Sequence, residues 1–216
     1  MGMSGHNHDH HPSFDTPIRM RRTAKTGRAV GLFGGSFNPA HAGHLHVAQT
    51  ALRSLALDEV WWLVSPQNPL KPKQPSYESR AQSVSALGLG RRMRLSRIEI
   101  DNNTRYTADM IKTAQRLHPN TRFVFLMGAD NFAQLPRWKR WREIVQTLPI
   151  AIIARPAKDG EPHFRARLGQ AARQYRSARL PEASAHMIAR RAAPAWTYVT
   201  APLSRLSSSA IRDSRR

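Results

Sequence analysis

The chain has 216 residues and is 40% hydrophobic, enough to bury the core of one ordinary domain and too much for global disorder. It contains no cysteine, which excludes disulfides and thiolate chemistry, and no apolar run of the roughly 18 residues a transmembrane helix needs. Its 34 basic and 14 acidic residues leave a formal charge of +20, which favours polyanionic partners, either nucleic acid or phosphorylated small molecules. Of the bases 28 are Arg and 6 are Lys, a bias that also fits compositional drift, so the charge alone does not select nucleic acid.

Residues 1–27 read as a flexible tail: polar, basic and His-rich, with scattered Pro and no periodicity. His6, His8, His10 and His11 there could bind a transition metal incidentally. The same stretch lacks the apolar core of a secretory signal, so a cytoplasmic location is expected. From residue 28 the elements alternate. Strand-like runs are expected at 28–33 (RAVGLF), 59–65 (EVWWLVS), 94–100 (RLSRIEI), 122–130 (RFVFLMGAD), 148–156 (LPIAIIARP) and 195–201 (AWTYVTA). Helices are expected at 43–57, where Leu45, Ala48, Leu52 and Leu55 fall at helical spacing, and at 77–90, 106–118, 164–180 and 207–214. Such alternation predicts an α/β fold, a Rossmann-like doubly wound parallel sheet in one domain over 28–216. Trp61 and Trp62 sit inside a strand-like run and are expected to pack in the core.

In sheets of this kind ligands bind beyond the strand ends, at the point where strand order reverses. LFGGSFNPAH and FLMGAD both follow apolar strands, so they should share one edge. Gly34 and Gly35 would let a phosphate approach the backbone closely, and the following helix start would add its N–H groups and positive dipole end. His41 and His44 flank that helix start and can donate to an anion held there. G-x-x-x-x-G-K-[ST] and G-x-G-x-x-G are both missing, which argues against a P-loop NTPase and a dehydrogenase. A zinc site would need a third ligand that nothing nearby supplies, so no protein-bound metal is expected.

The run GGSFNPAHAGH resembles the GG-[ST]-F-[DN]-P-x-H-x-G-H signature of the nucleotidyltransferase superfamily. LSSSAIR (206–212) is similar to its second signature, [IL]-S-S-[ST]-x-[IL]-R. SPQNPLKP (65–72) and GADNFAQLPRWKRW (128–141) resemble the bacterial nicotinate-nucleotide adenylyltransferase family, and together the motifs span nearly all of 28–216. The resemblance implies transfer of the adenylyl group of ATP to nicotinate mononucleotide, giving deamido-NAD and pyrophosphate, with Mg²⁺ carried mainly on the ATP phosphates. Both reactants are already anionic, so the chemistry asks for alignment and charge stabilisation rather than a strong base.

Carried onto this sequence, the resemblance gives His41, His44 and Arg212 the catalytic positions. ATP would meet Gly34, Gly35, Ser36, Phe37, His41, His44, Gly128, Asp130, Ser207, Ser208, Ser209 and Arg212. Asp130 would take the ribose hydroxyls, and the serine-led helix start the outer phosphates. The mononucleotide would meet Asn68, Lys71, Thr107, Trp138 and Arg155, with Trp138 stacking on the pyridine ring. Trp141 fits core and site equally well. Asn38 stands where many relatives carry Asp, and Lys139 and Arg140 where they often carry an aromatic and an acidic residue. How side chains would recognise the nicotinate carboxylate therefore stays open. The expected partners are ATP and nicotinate mononucleotide, with no specific nucleic acid and no membrane, in a monomer or homodimer. The rival readings are an adenylyltransferase that prefers nicotinamide mononucleotide and a basic nucleic-acid-binding protein.

Overall fold

A seven-stranded, wholly parallel sheet organises the chain, in the order β3-β2-β1-β4-β5-β7-β6. The strands are β1 (Ala29–Gly35), β2 (Glu59–Val64), β3 (Met93–Ser96), β4 (Arg122–Gly128), β5 (Ile150–Ile153), β6 (Arg179–Leu180) and β7 (Trp196–Val199). The computed structural model describes residues 27–66, 74–154 and 167–200. The expected tail and the expected last helix lie outside these residues.

The strands read as near-continuous apolar runs because both faces of the sheet are covered. Alternation along each strand sorts side chains between two cores. Leu32, Trp61, Leu63, Phe125 and Met127 face one, while Phe33, Trp62, Val64, Val124 and Leu126 face the other. Trp61 and Trp62 are 4% and 0% exposed, one on each face, as their place in a strand predicts.

The first core is closed by α3 (Ile98–Asp101), α4 (Thr107–Leu117), α5 (Ala129–Gln134), α6 (Trp141–Thr147) and α7 (Gln170–Gln174). The second is closed by α1 (Ala42–Ser54), α2 (Tyr77–Ser85) and a 3-10 segment, Glu182–Arg190. On α1 the stripe Val47, Ala48, Ala51 and Leu52, continued by Leu55, is buried, while Leu45 packs at its margin.

Three expectations change. The strand predicted over 94–100 ends at Ser96, and the chain turns helical at once, burying Ile98 and Glu99. Of the helix predicted over 164–180, the described residues 167–180 hold one short helix, Gln170–Gln174, followed by a 3-10 turn and β6. There Trp196 Nε1 donates to the Tyr175 carbonyl at 2.7 Å, and Thr197 Oγ1 to that of Leu180 at 3.2 Å. These long-range bonds from β7 hold the backbone at the sheet edge, outweighing local helix propensity. Residues 131–147, for which no element is predicted, form most of α5, a 3-10 turn and α6.

Candidate active site

The reversal in strand order falls between β1 and β4, and there the sheet opens. Their ladder stops at Phe33 opposite Leu126. Beyond it β1 stays paired with β2 to Gly35 opposite Val64, and β4 with β5 to Gly128 opposite Ile153. The carboxyl ends therefore part, leaving a crevice with Gly34–Gly35 on one lip and Met127–Gly128 on the other.

On the first lip the two glycines have different reasons for being small. A Cβ on Gly35 would lie 2.9–3.3 Å from the ring of Phe37, so this position is bare to admit a neighbouring side chain. The sequence reading had kept it bare for a phosphate. A Cβ on Gly34 would make only ordinary contacts, 3.7–3.8 Å from Phe125, so nothing among the described residues forbids a side chain there. Phe37 has φ +43, a left-handed conformation that costs a non-glycine residue about 1–2 kcal/mol. Its buried ring, 5.5 Å from Phe33 and 5.2 Å from Trp62, offsets that cost.

His41 and His44 cap α1 reciprocally. His41 is the N-cap, and its Nδ1 accepts from the Gly43 N–H at 3.1 Å. His44, three residues on, accepts at Nδ1 from the His41 N–H at 3.3 Å. This is the geometry of a capping box, built from two imidazoles. The rings lie 3.9 Å apart, and that of His44 meets Phe37 edge-on at 5.1 Å.

One sequence expectation is corrected here. The N–H groups of the helix start were expected to face an anion, but Gly43 is taken by His41 Nδ1 and His44 by the His41 carbonyl at 2.9 Å. The imidazoles, expected to reach an anion held there, are 4% and 8% exposed. A ring accepting at Nδ1 is neutral and carries its proton on Nε2. The His41 Nε2 atom is itself shielded from solvent.

Across the crevice, Gly128 ends β4 and is the N-cap of α5, which brings Asp130 into the first helical turn. Asp130 Oδ1 is shielded from solvent and accepts no hydrogen bond from the described residues. Trp138 is half-buried and meets Phe125 edge-on at 6.4 Å, and Phe125 in turn adjoins Gly34. Thr107 is the first residue of α4, with Tyr106 as the N-cap, so its hydroxyl is not the cap. Lys139 Nζ sits 4.9 Å above the Tyr106 ring, which holds the start of α4 beside the Trp138 segment. Asn68, Lys71, Arg155, Ser207, Ser208, Ser209 and Arg212 lie outside the described residues.

Residues 32–214 match the cytidylyltransferase-like family model. A curated protein from Cereibacter sphaeroides, named "Probable nicotinate-nucleotide adenylyltransferase", is 47% identical over 188 residues, covering 87% of this chain and 97% of that protein. The chain belongs to the nicotinate-nucleotide adenylyltransferase family. A Ruegeria pomeroyi protein of the same name is 45% identical over 190 residues, covering 88% of this chain and 87% of its own. The solved nicotinic acid mononucleotide adenylyltransferase of Plasmodium falciparum, complexed with NaAD, shares the fold. Its TM-score is 0.65 at 19% identity, over 86% of this chain and 83% of that one.

In this adenylyltransferase-family chain the sequence reading missed the support beneath the glycine loop. Arg80 of α2 is 2% exposed and donates through one nitrogen to the carbonyls of Ser36 at 2.9 Å and Ser65 at 2.8 Å, and through Nε to Pro75 at 3.1 Å. Ser83, one turn on, accepts from the Ala40 N–H at 3.0 Å. Ser65 N–H and Oγ both donate to the Gly35 carbonyl, at 3.0 and 3.1 Å. Carbonyl oxygens that would repel an anion are thus engaged by protein donors. Arg80 sits in an ordinary amphipathic helix, so no local pattern marks it.

Arg140 is resolved as structural. It pairs with Asp109 of α4 at 2.5 Å and with Glu143 of α6 at 2.7 Å, and Lys112 also reaches Glu143. Hydrogen bonds from Arg140 and Lys112 hold the Glu143 carboxyl down at about 2. Trp141 is 6% exposed and packs in the core against Tyr175.

Proposed function

We propose that the parted strand ends bind ATP and nicotinate mononucleotide side by side, and that the chain transfers the adenylyl group from the first to the second. An oxygen of the mononucleotide 5′-phosphate bonds to the α-phosphorus of ATP. The bond from that phosphorus to the bridging oxygen breaks, and pyrophosphate leaves with its electron pair. No proton transfer is needed, so the protein's task is alignment in line and stabilisation of charge.

The observation that carries this reading is the pairing of two lips with complementary chemistry. One bears Gly34, for which packing among the described residues gives no reason, and two neutral imidazoles whose Nδ1 atoms accept backbone N–H bonds. Donation into Nδ1 polarises each ring and strengthens Nε2–H as a donor toward phosphate oxygens. His44 is assigned to the α-phosphate and His41 to the outer phosphates, with backbone contacts from Gly34 to Phe37. The other lip bears Asp130, whose buried, unbonded Oδ1 suits a ribose hydroxyl, and Trp138, whose half-buried indole suits a pyridine ring.

Mg²⁺ belongs with ATP. Among the described residues no three His, Asp or Glu side chains converge. Phosphate oxygens and water supply the coordination Mg²⁺ favours. Asn68, Lys71, Thr107 and Arg155 are assigned to the mononucleotide, and Ser207, Ser208, Ser209 and Arg212 to the outer phosphates, on the sequence signatures.

The test is pyrophosphate release from ATP and Mg²⁺ with either nicotinate or nicotinamide mononucleotide. Release with the acid at the higher kcat/KM is expected. Preference for the amide would replace the acceptor, and release with neither would end the reading.

A further inference from the structure

The amino ends of β1 and β4 adjoin a second concave site. A cavity of about 230 Å³ opens there, and its lining carries three cationic or titratable side chains: Arg122, the first residue of β4, and His186 and Arg190 of the 3-10 segment. Ala29, Ala56, Met187 and Ala189 make up the remaining wall, so among the described residues no acidic side chain lines it. Asp58 adjoins the lining residue Ala29, and its carboxylate accepts that residue's backbone N–H at 2.7 Å.

Arg122 is what needs explaining. Its Nε is shielded from solvent and has no acceptor among the described residues. A buried guanidinium N–H without a partner is costly, so such groups are normally paired. Among the described residues neither Arg122 nor Arg190 makes an ion pair. A planar fork beside a second guanidinium and an imidazole suits a tetrahedral oxyanion. The cavity is roomier than one phosphoryl group requires, and its alanine and methionine wall is suited to an attached organic body.

We propose that this cavity is a binding site for the phosphoryl group of a small phosphate ester, held by Arg122 and Arg190 with His186 at its side. It is separate from the candidate active site. Ala29 and Gly35 are the two ends of one seven-residue strand, which at about 3.3 Å per step sets the sites roughly 20 Å apart. The proposal does not depend on the adenylyl-transfer reading.

The test uses the full chain and the ring resonances of His186, assigned with His186→Gln. Inorganic phosphate and ribose 5-phosphate are titrated in separate arms at constant ionic strength. A saturable shift is expected in both arms, with ribose 5-phosphate the tighter by severalfold because of the apolar wall. Equal affinities would make free phosphate the ligand and overturn the ester. Arg190→Gln and Arg122→Gln should each weaken binding at least tenfold, while Arg190→Gln leaves turnover of ATP and mononucleotide unchanged. A shift that never saturates, or that neither variant alters, overturns the site. Arg190 is exposed, so its variant tests binding even if Arg122→Gln fails to fold.

Discussion

His44 combines two tasks in one ring, and the two can be separated by substitution. Its Nδ1 caps the His41 N–H, while Nε2 is the edge assigned to the α-phosphate. His44→Ala should lose both: about 1 kcal/mol of stability from the cap, and about 100-fold or more in turnover from the donor. His44→Asn can still accept from the backbone and should keep more of the thermal stability without recovering the rate. Pyrophosphate release and thermal unfolding on both variants check this, and near-wild-type turnover in either removes His44 from the chemistry. The adjacent glycines give a second contrast. Gly35→Ala drives a methyl into the Phe37 ring and should cost about 1–3 kcal/mol in denaturant unfolding. Gly34→Ala meets only ordinary contacts, so it should fold with wild-type stability yet lower kcat/KM for ATP roughly tenfold, about 1.4 kcal/mol. Unchanged kinetics in Gly34→Ala would show that no ligand approaches that backbone.

At the scale of elements, α2 supports one lip of the crevice and meets α3 electrostatically. Arg80 ties α2 to the ends of β1 and β2, and the buried Glu99 of α3 lies within its field. Burial pushes the Glu99 carboxyl up to about 7, with Arg80 opposing the shift, and Glu99 Oε2 accepts no hydrogen bond. A carboxyl raised in the folded state keeps its proton where the unfolded chain, near 4.5, has lost it. The stability it contributes is complete below pH 4.5 and disappears as pH rises to about 7. Glu99→Gln removes that dependence. Relative to wild type it should gain on the order of 1–3 kcal/mol between pH 5 and pH 8. Urea unfolding of both proteins at the two pH values measures the difference, and parallel pH profiles would mean that Glu99 is ionised throughout.

For the molecule as a whole, the +20 charge acts on encounter rather than on fold. Both proposed substrates are polyanions, so kcat/KM should fall severalfold between about 50 and 300 mM salt as screening shortens the range of attraction. The kcat should stay level, because the bound state is held by short contacts. Steady-state kinetics across that range distinguishes the two parameters. A salt-independent kcat/KM would make the basic surface irrelevant to capture. Tight, steeply salt-dependent binding of DNA or RNA would instead favour the nucleic-acid reading.

The sequence by itself determined the architecture, because apolar runs alternating with amphipathic stretches can be satisfied only by a parallel sheet covered on both faces. It also marked the crevice, since GGSFNPAHAGH and GAD each follow a strand and parallel strands bring those ends to one edge. It did not indicate which atoms face the crevice. That Gly35 makes room for Phe37, that two imidazoles cap a helix as neutral rings, and that Arg80 holds the loop from a helix about 44 residues away all depend on contacts between segments distant in the chain. The same holds for β6 and the shortened α7, where bonds from Trp196 and Thr197 outweigh a local preference for helix. Periodicity is written along the chain, but hydrogen-bond partners and steric fit are set only once the strands are side by side.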